Sequence, residues 1–132
     1  DQRAALEGLV NDLGLQDDVI FVGETRNPYV FMRGADVGVL VSEKEGFPNV
    51  LLEMMASGTK YIVTTPCAGD LNKLPGVKVV SEASSLAVAQ ALEEAAIGVY
   101  DRREIYRRYA QSIDIEHFWV NLQAELDEGE CL

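Results

Sequence analysis

Two carboxylates flank a short turn in SEKEGFPNVLLEMMASG, residues 42–58. Glu45 lies directly before Gly46, and Glu53 follows eight residues after Glu45. A carboxylate accepts charge-assisted hydrogen bonds of about 1.5–3 kcal/mol each, so both side chains suit the hydroxyl groups of a sugar. Considered alone, Glu45 is better explained as a solvated loop charge, and Glu53 is also explained as a carboxylate stabilised in the first turns of a helix.

An anion site is also predicted in this stretch. Pro48 opens a predicted helix that ends at Gly58, because proline is favoured at helix starts and glycine just past helix ends. The first N–H groups of a helix lack internal partners and attract phosphate, so we expect Asn49 and Val50 to face an anion. Gly46 lets a ligand approach the main chain closely. A phosphate between two hydroxyl-binding carboxylates has the shape of a nucleotide sugar, which is a hypothesis from geometry.

The elements that would position these groups alternate along the chain. Buried strands are predicted at residues 18–23, 36–42, 60–65 and 77–80. Helices are predicted at residues 6–13, after Pro28, from Pro48 to Gly58, and through the last fifty residues. Two of the helices in the last fifty residues have an apolar face, formed by Leu86, Ala89, Leu92 and Ala96 in one and by Phe118, Trp119, Leu122 and Leu126 in the final one. Apolar strands alternating with helices indicate an α/β fold with a Rossmann-like parallel sheet and flanking helices. Ligands of such sheets bind beyond the carboxyl ends of the strands, where residues 42–47 are expected.

The composition restricts the classes of function. The chain has 132 residues, of which 48% are hydrophobic and 25% charged, as in one globular domain with a core. Its net charge of −11 argues against nonspecific nucleic-acid binding and against docking on an anionic membrane, because both need clustered cations. No apolar run approaches the roughly 20 residues of a membrane span, and no signal peptide is visible. Cys67 and Cys131 lack metal-ligand spacing and are expected to be free thiols in a reducing cytosol.

Two other features have a structural and a functional explanation. Four arginines cluster on a predicted helix: Arg102, Arg103, Arg107 and Arg108. We expect a solvated helix face with Glu104 as partner, and the alternative is a patch that faces a membrane or an acceptor. His117 is expected to pack on the last helix rather than act in catalysis, because no acid–nucleophile set accompanies it.

The stretch EGFPNVLLEMMASG closely resembles the signature of retaining GT-B glycosyltransferases of family 4, the glycosyl transferases group 1. That family carries two glutamates separated by seven residues, typically as E-G-F-P-x-x-x-x-E-A-M-A-x-G-x-P. The matching positions are Glu45, Gly46, Phe47, Pro48, Glu53, Met55, Ala56 and Gly58. LGLQDDVIFVG is similar to the family's strand before the donor site, ADVGVLVSEKEG to the strand and loop with the first glutamate, and HFWVNLQAEL to the closing helix. The resemblance covers nearly the whole chain.

The resemblance implies a role for each matched position. Glu45 would bind the hydroxyls of the donor hexose as the catalytic residue, and the backbone of residues 46–48 would line the sugar pocket. Asn49 and Val50 would lie against the diphosphate at the helix start, and Glu53 would hold the ribose hydroxyls of the nucleotide. No metal ion or other cofactor is expected, because protein cations and helix N–H groups would stabilise the leaving diphosphate.

The base of the nucleotide would lie elsewhere in the site. By the same resemblance, its neighbours would be Gly23, Glu24 and Thr25. The expected ligands are therefore a UDP-, GDP- or ADP-sugar as donor and a saccharide or lipid-linked molecule as acceptor.

The chain also departs from the family pattern. Lys60 stands where the family usually has proline, Met54 where it has alanine, and residues 66–76 lack the usual glycines and glutamate. The family's C-terminal domain begins with two further strands and a glycine-rich turn, which carry an arginine and a lysine for the diphosphate; this sequence shows neither. In the strand order 3-2-1-4-5-6 the missing strands lie between VIFVG and VGVLV, so the four predicted strands need not form one sheet unaided.

Residues 1–132 are therefore expected to form a single partial nucleotide-sugar-binding domain, without the family's N-terminal acceptor domain. Either the chain is a piece of a longer protein, or a partner or a rearrangement fills the gap. A homo-oligomer stays open, because unpaired strand edges invite pairing between chains. The expected location is the cytoplasm, or the inner face of a membrane through missing parts of the chain.

Two classes of function follow from this pattern. The first is the donor-binding portion of a hexosyltransferase that acts with retention and needs a longer chain for turnover. The alternative is a non-catalytic nucleotide-sugar-binding or assembly module derived from such a domain, since a fold does not fix a function. A signalling receiver domain is disfavoured, because VGVLVSEKEG does not end in the aspartate that it requires.

Overall fold

The structure is a computed structural model that describes residues 2–98 and 100–113. The elements in chain order are α1 (Gln2–Asp12), α2 (Tyr29–Met32), β1 (Val37–Leu40), α3 (Asn49–Ser57), β2 (Tyr61–Thr64), a 3-10 helix (Leu71–Lys73), β3 (Lys78–Val79), α4 (Ser85–Ile97) and α5 (Arg103–Ser112). The predicted final helix with its apolar stripe, together with His117 and Cys131, lies outside the described residues. Within the described ranges, no helix is long and apolar enough to cross a membrane.

Three parallel strands form the sheet, in the order β1-β2-β3. Val37 pairs with Tyr61, and Val63 pairs with Lys78. The strands predicted at residues 36–42, 60–65 and 77–80 are thereby confirmed, as is the α/β class. Because all three strands run in one direction, the loops at their carboxyl ends share one edge of the sheet.

The strand predicted at residues 18–23 is wrong. These residues form irregular chain, and the side chain of Ile20 is 84% exposed. A strand needs a neighbour for its hydrogen bonds, and the sheet of the described residues contains only β1, β2 and β3. β1 is the end strand of that sheet, which is where the sequence placed the gap. The apolar side chains of α1 are likewise exposed, including Leu6 and Leu9.

Helices cover both faces of the sheet. Side chains alternate between the faces along a strand, so neighbouring Ile62 and Val63 belong to different clusters. On one face α3 and α5 enclose a core of Leu51, Met55, Ile62, Cys67, Leu71, Leu74 and Tyr106. On the other face α4 packs through Ala87, Val88, Ala91 and Leu92. Of the apolar face predicted for this helix, only Leu92 takes part in the contact.

Local signals at the helix ends act largely as predicted. α3 ends at Gly58, whose φ of 91° lies in the left-handed region that favours glycine. At the start of α4 the Ser84 hydroxyl accepts a hydrogen bond from the Ala87 N–H at 3.2 Å.

Lys60, at the position where the resemblance has proline, forms an ion pair with Asp36 and lowers the pKa of that carboxyl group.

Three arginines of the cluster, Arg103, Arg107 and Arg108, lie on a solvated face of α5, and Arg102 is the half-buried residue before that helix. Glu104 accepts hydrogen bonds from Arg107 and Arg108, and Asp101 pairs with Arg103. All these side chains are largely exposed. The predicted pairing of this cluster with Glu104 is confirmed for two of its four arginines.

Tyr106 is a buried junction that the sequence pattern did not single out. Its hydroxyl donates a hydrogen bond to the Gly76 carbonyl at 2.9 Å and accepts one from the Ile62 N–H at 3.1 Å. α5 is thus tied to β2 and to the loop before β3. Burial raises the pKa of Tyr106 to about 12, because the phenolate would lose its contact with water.

We expect Tyr106→Phe to lower the free energy of unfolding by about 1–3 kcal/mol near neutral pH, because two buried backbone groups lose their partner. The unfolded chain loses the tyrosine proton near pH 10, whereas the folded protein keeps it to about pH 12. The hydroxyl's contribution is therefore complete below pH 10 and is lost as the pH rises from 10 to 12. Urea titrations at several pH values measure this difference between wild type and variant. Tyr29→Phe, at a residue 49% exposed, is the control, and a wild-type advantage that is constant from pH 8 to 12 would contradict the assignment.

Candidate functional site

The chain leaves the carboxyl end of β1 and crosses residues 41–48 before it enters α3. Within this loop Glu45 and Gly46 are exposed, whereas Pro48 is buried at the helix start. In α3, Leu51 and Met55 are buried against the sheet. Glu53 lies two residues from each of them, about 200° around the helix, and is only half-buried. Packing of α3 therefore directs Glu53 away from the core on the helix that the Glu45 loop enters.

Hydrogen bonds fix the position of the Glu45 loop. The Glu45 N–H donates to the Cys67 carbonyl at 2.8 Å. The Ser42 hydroxyl donates to Oε1 of Glu45 at 2.6 Å. The Thr65 hydroxyl donates to the Ser42 carbonyl at 2.5 Å. The loop after β1 is therefore bound to the segment after β2, and the Glu45 carboxylate has a defined place at the rim.

The first N–H groups of α3 differ in their availability. The Asn49 N–H donates to the Phe47 carbonyl at 3.0 Å, and the Leu51 N–H donates to the Pro48 carbonyl at 3.0 Å. The Val50 N–H has no partner among the described residues outside its own helix. Of the two donors predicted for an anion, Asn49 is thus engaged internally and Val50 is open.

Gly46 is not required by packing or by its backbone. A Cβ built on Gly46 meets no atom within 4 Å, and φ is not positive there. Open space above the main chain is therefore the property that this position offers, which agrees with a loop that a ligand can approach.

Residues 23–25 are exposed and lie on a separate irregular segment. Gly23 has a φ of 75°, and the Thr25 hydroxyl accepts a hydrogen bond from the Asn27 N–H at 3.2 Å. No hydrogen bond among the described residues joins this segment to residues 41–48 or to α3. The predicted residues from Glu45 to Glu53 thus lie on one loop and the helix that follows it, and no hydrogen bond of the described residues links the predicted base-binding residues to them.

The fixed charge of the site is negative. Residues 42–53 contain three carboxylates, of Glu43, Glu45 and Glu53, and one ammonium group, of Lys44. The side chains of this stretch therefore supply hydrogen-bond acceptors for hydroxyls, but not the cations that a diphosphate needs.

A cavity of about 460 Å³ opens beside the Glu45 loop, on the α4 side of the sheet. Val41 and Thr65 line it from the strand ends, and Ser84 and Val88 line it from α4. Neither Glu45 nor Glu53 is among its lining residues. Sequence reasoning missed this cavity because its walls come from three separate segments of the chain, at residues 41–43, 65 and 83–92.

Comparison with known proteins identifies the family. The family model described as "Glycosyl transferases group 1" matches residues 1–97. The chain belongs to this family. The resemblance found in residues 42–58 is thereby confirmed, and the Rossmann-like sheet is that of a GT-B glycosyltransferase domain.

Several known proteins resemble parts of the chain. The Vi polysaccharide biosynthesis protein VipC/TviE of Salmonella typhi is 33% identical over 69 residues, which cover 52% of this chain and 12% of that protein. The N-acetyl-alpha-D-glucosaminyl L-malate synthase of Bacillus anthracis is 41% identical over 61 residues, 46% of this chain and 14% of the synthase. An N-acetylgalactosamine-N,N'-diacetylbacillosaminyl-diphospho-undecaprenol 4-alpha-N-acetylgalactosaminyltransferase of Campylobacter jejuni is 33% identical over 64 residues, 48% of this chain and 18% of that enzyme.

A solved structure supports the same fold. Sucrose-phosphate synthase from Thermosynechococcus elongatus superposes with a TM-score of 0.68 at 26% sequence identity. The match covers 96% of this chain and 34% of the synthase chain. The chain therefore spans only a minor part of the length of these glycosyltransferases.

Proposed function

We propose that residues 42–53 are the donor-sugar and ribose side of a hexosyltransferase active site. The enzyme would transfer a hexose from a UDP-, GDP- or ADP-sugar to a saccharide or lipid-linked acceptor, with retention of configuration. The observations that carry this proposal are the exposed Glu45 on the loop after β1 and the half-buried Glu53 on the side of α3 away from the core, with the open main chain of Gly46 and the open Val50 N–H between them in the sequence. Residues 1–132 would be a partial donor-binding domain within a longer chain.

Each group has a defined task in this proposal. The Glu45 carboxylate accepts hydrogen bonds from hexose hydroxyls and holds the anomeric carbon in place for transfer. The Val50 N–H and the amino end of α3 face the diphosphate as it leaves with negative charge. Glu53 accepts hydrogen bonds from the ribose hydroxyls. Asn49 joins the diphosphate site if its N–H exchanges the Phe47 carbonyl for a phosphate oxygen.

The proposed chemistry uses no metal ion. Its cations must come from parts of the protein outside residues 42–53, because this stretch has three carboxylates and one lysine. Gly23, Glu24 and Thr25 would approach the base once the sheet beside β1 is completed. The name of the Campylobacter jejuni relative includes a diphospho-undecaprenol, which supports a lipid-linked acceptor. The proposed place of work is the cytoplasm or the cytoplasmic face of a membrane.

A second candidate function rests on the same shortage of cations. Without groups that neutralise the diphosphate, the domain would bind nucleotide sugars without transferring them, as a binding or assembly module.

The first experiment uses the full natural chain that contains these residues. Thermal unfolding is followed with UDP-glucose, UDP-N-acetylglucosamine, GDP-mannose and ADP-glucose, and slow hydrolysis of each donor is measured in parallel. The corresponding nucleoside monophosphates and glucose 1-phosphate are the controls. We expect one donor to stabilise the protein by about 2.7 kcal/mol at a hundred times its Kd, and to be hydrolysed. At the same concentration its nucleoside monophosphate and glucose 1-phosphate should each stabilise the protein less.

The outcomes separate the two candidates. Stabilisation together with hydrolysis supports the transferase, whereas stabilisation without hydrolysis or transfer supports the binding module. If no donor stabilises the full chain more than its monophosphate, residues 42–53 are not a donor site.

A further inference from the structure

Two hydrogen bonds, from Thr65 to the main chain of Ser42 and from the Ser42 side chain to Glu45, join the loop after β1 to the turn after β2. Thr65, the first residue after β2, is only 3% exposed, and its hydroxyl donates to the Ser42 carbonyl at 2.5 Å. The Ser42 hydroxyl donates in turn to Oε1 of Glu45 at 2.6 Å. None of the matched signature positions includes Ser42 or Thr65.

The backbone of Glu45 is held from the same direction. Its N–H donates to the carbonyl of Cys67, a core residue that is 4% exposed. The Cys67 N–H donates to the Thr65 carbonyl at 2.8 Å, so residues 65–67 form a tight turn. The turn after β2 thus anchors both the main chain at Glu45 and, through Ser42, its carboxylate.

This arrangement preorganises the Glu45 carboxylate, because it fixes the orientation of the side chain before a ligand binds. A glutamate side chain has several free rotations, and fixing it costs conformational entropy. The Ser42 hydrogen bond uses one acceptor site on Oε1 and leaves Oε2 open, since an ionised carboxylate offers about four such sites. A buried anchor at Thr65 keeps Ser42 itself from moving with the exposed loop.

We propose that Ser42 and Thr65 are positioning residues, which aim the Glu45 carboxylate at the hexose of the donor. The inference rests on the proposed function and adds a specific element to it. The segment after β2, which departs from the family pattern at residues 66–76, sets the geometry of the sugar-binding group on the loop after β1. Neither Ser42 nor Thr65 needs to touch the ligand.

The test uses the nucleotide sugar that stabilises the full natural chain most. Calorimetry measures its Kd, and initial rates measure its hydrolysis. Ser42→Ala is expected to raise Kd about tenfold, the size of one net hydrogen bond to a charged group. Ser42→Thr retains a hydroxyl and should restore binding to within about threefold, whereas Thr65→Val, which keeps the shape, should act in the direction of Ser42→Ala. Kd for the matching nucleoside diphosphate, which lacks the hexose, should stay unchanged in each variant.

A double-mutant cycle with Glu45→Ala decides whether Ser42 acts through Glu45. In the Glu45→Ala background, Ser42→Ala should change Kd by less than about twofold, because no carboxylate remains to be aimed. If Ser42→Ala raises Kd by the same factor in both backgrounds, or weakens the nucleoside diphosphate equally, the positioning role is overturned.

The same cycle separates the failure of the inference from that of the proposed function. If Glu45→Ala weakens the donor and Ser42→Ala does not, only the positioning role falls. If Glu45→Ala leaves Kd for the donor unchanged, or no donor binds, the proposed donor site is wrong and so is the positioning role.

Discussion

Replacing Glu45 with glutamine in the full natural chain should lower kcat/KM for the donor about 30–150-fold. The amide keeps the size of the side chain but loses the negative charge, and charge-assisted hydrogen bonds of about 1.5–3 kcal/mol each revert to weaker neutral ones. Two hexose hydroxyls on one carboxylate therefore lose about 2–3 kcal/mol together, and each 1.36 kcal/mol is a factor of ten in rate. Initial rates of transfer or hydrolysis with the donor found in the panel measure this directly.

Glu53→Gln provides the matched control, since it makes the same chemical change eight residues along the chain. Glu53 is assigned to the ribose, so its replacement should weaken the donor and the free nucleoside diphosphate by similar factors. Glu45→Gln should weaken the donor and leave the nucleoside diphosphate unchanged. If the two variants affect both ligands alike, the division of the site into a sugar half and a nucleotide half is wrong.

Local sequence patterns were sufficient for the elements that carry the two glutamates. β1, β2 and α3 are specified by neighbouring residues: apolar runs of strand length, a proline at a helix start and a glycine at its end. Residues 18–23 have the same kind of apolar run and do not form a strand. A pattern reports that a segment can be buried, whereas a strand also needs a partner, and none of the three strands of the described residues pairs with this segment.

The contacts that fix the site geometry were beyond local patterns for the same reason. Thr65 lies 23 residues from Ser42, and Tyr106 lies 44 residues from Ile62. Each of these hydrogen bonds depends on how elements are placed in space, and threonine or tyrosine in the sequence gives no sign of its distant partner. The hydrogen bond of the Asn49 N–H was also not predictable from the sequence, because it depends on the conformation of the turn at Phe47 and Pro48 rather than on residue type.

Leu51→Ala should be the most destabilising of the substitutions considered, with a loss of about 3–5 kcal/mol in the free energy of unfolding. Leu51 is fully buried and belongs to the core that α3 and α5 form over Ile62. Truncation removes apolar contact and leaves a cavity that close-packed neighbours fill only in part. Domains are stable by only about 5–15 kcal/mol, so this is a large share of the total.

Leu86→Ala is the matched control, because it makes the same change in a helix at a residue that is 66% exposed. Alanine has a helix propensity at least equal to that of leucine, so propensity does not oppose either substitution. The Leu86 variant should stay within about 0.5 kcal/mol of wild type in urea titrations. Equal losses at the two positions would show that α3 is not held to the sheet through Leu51. A loss confined to Leu51→Ala would show that the core holds α3 through Leu51, and burial of Leu51 and Met55 leaves Glu53 on the side of that helix away from the core.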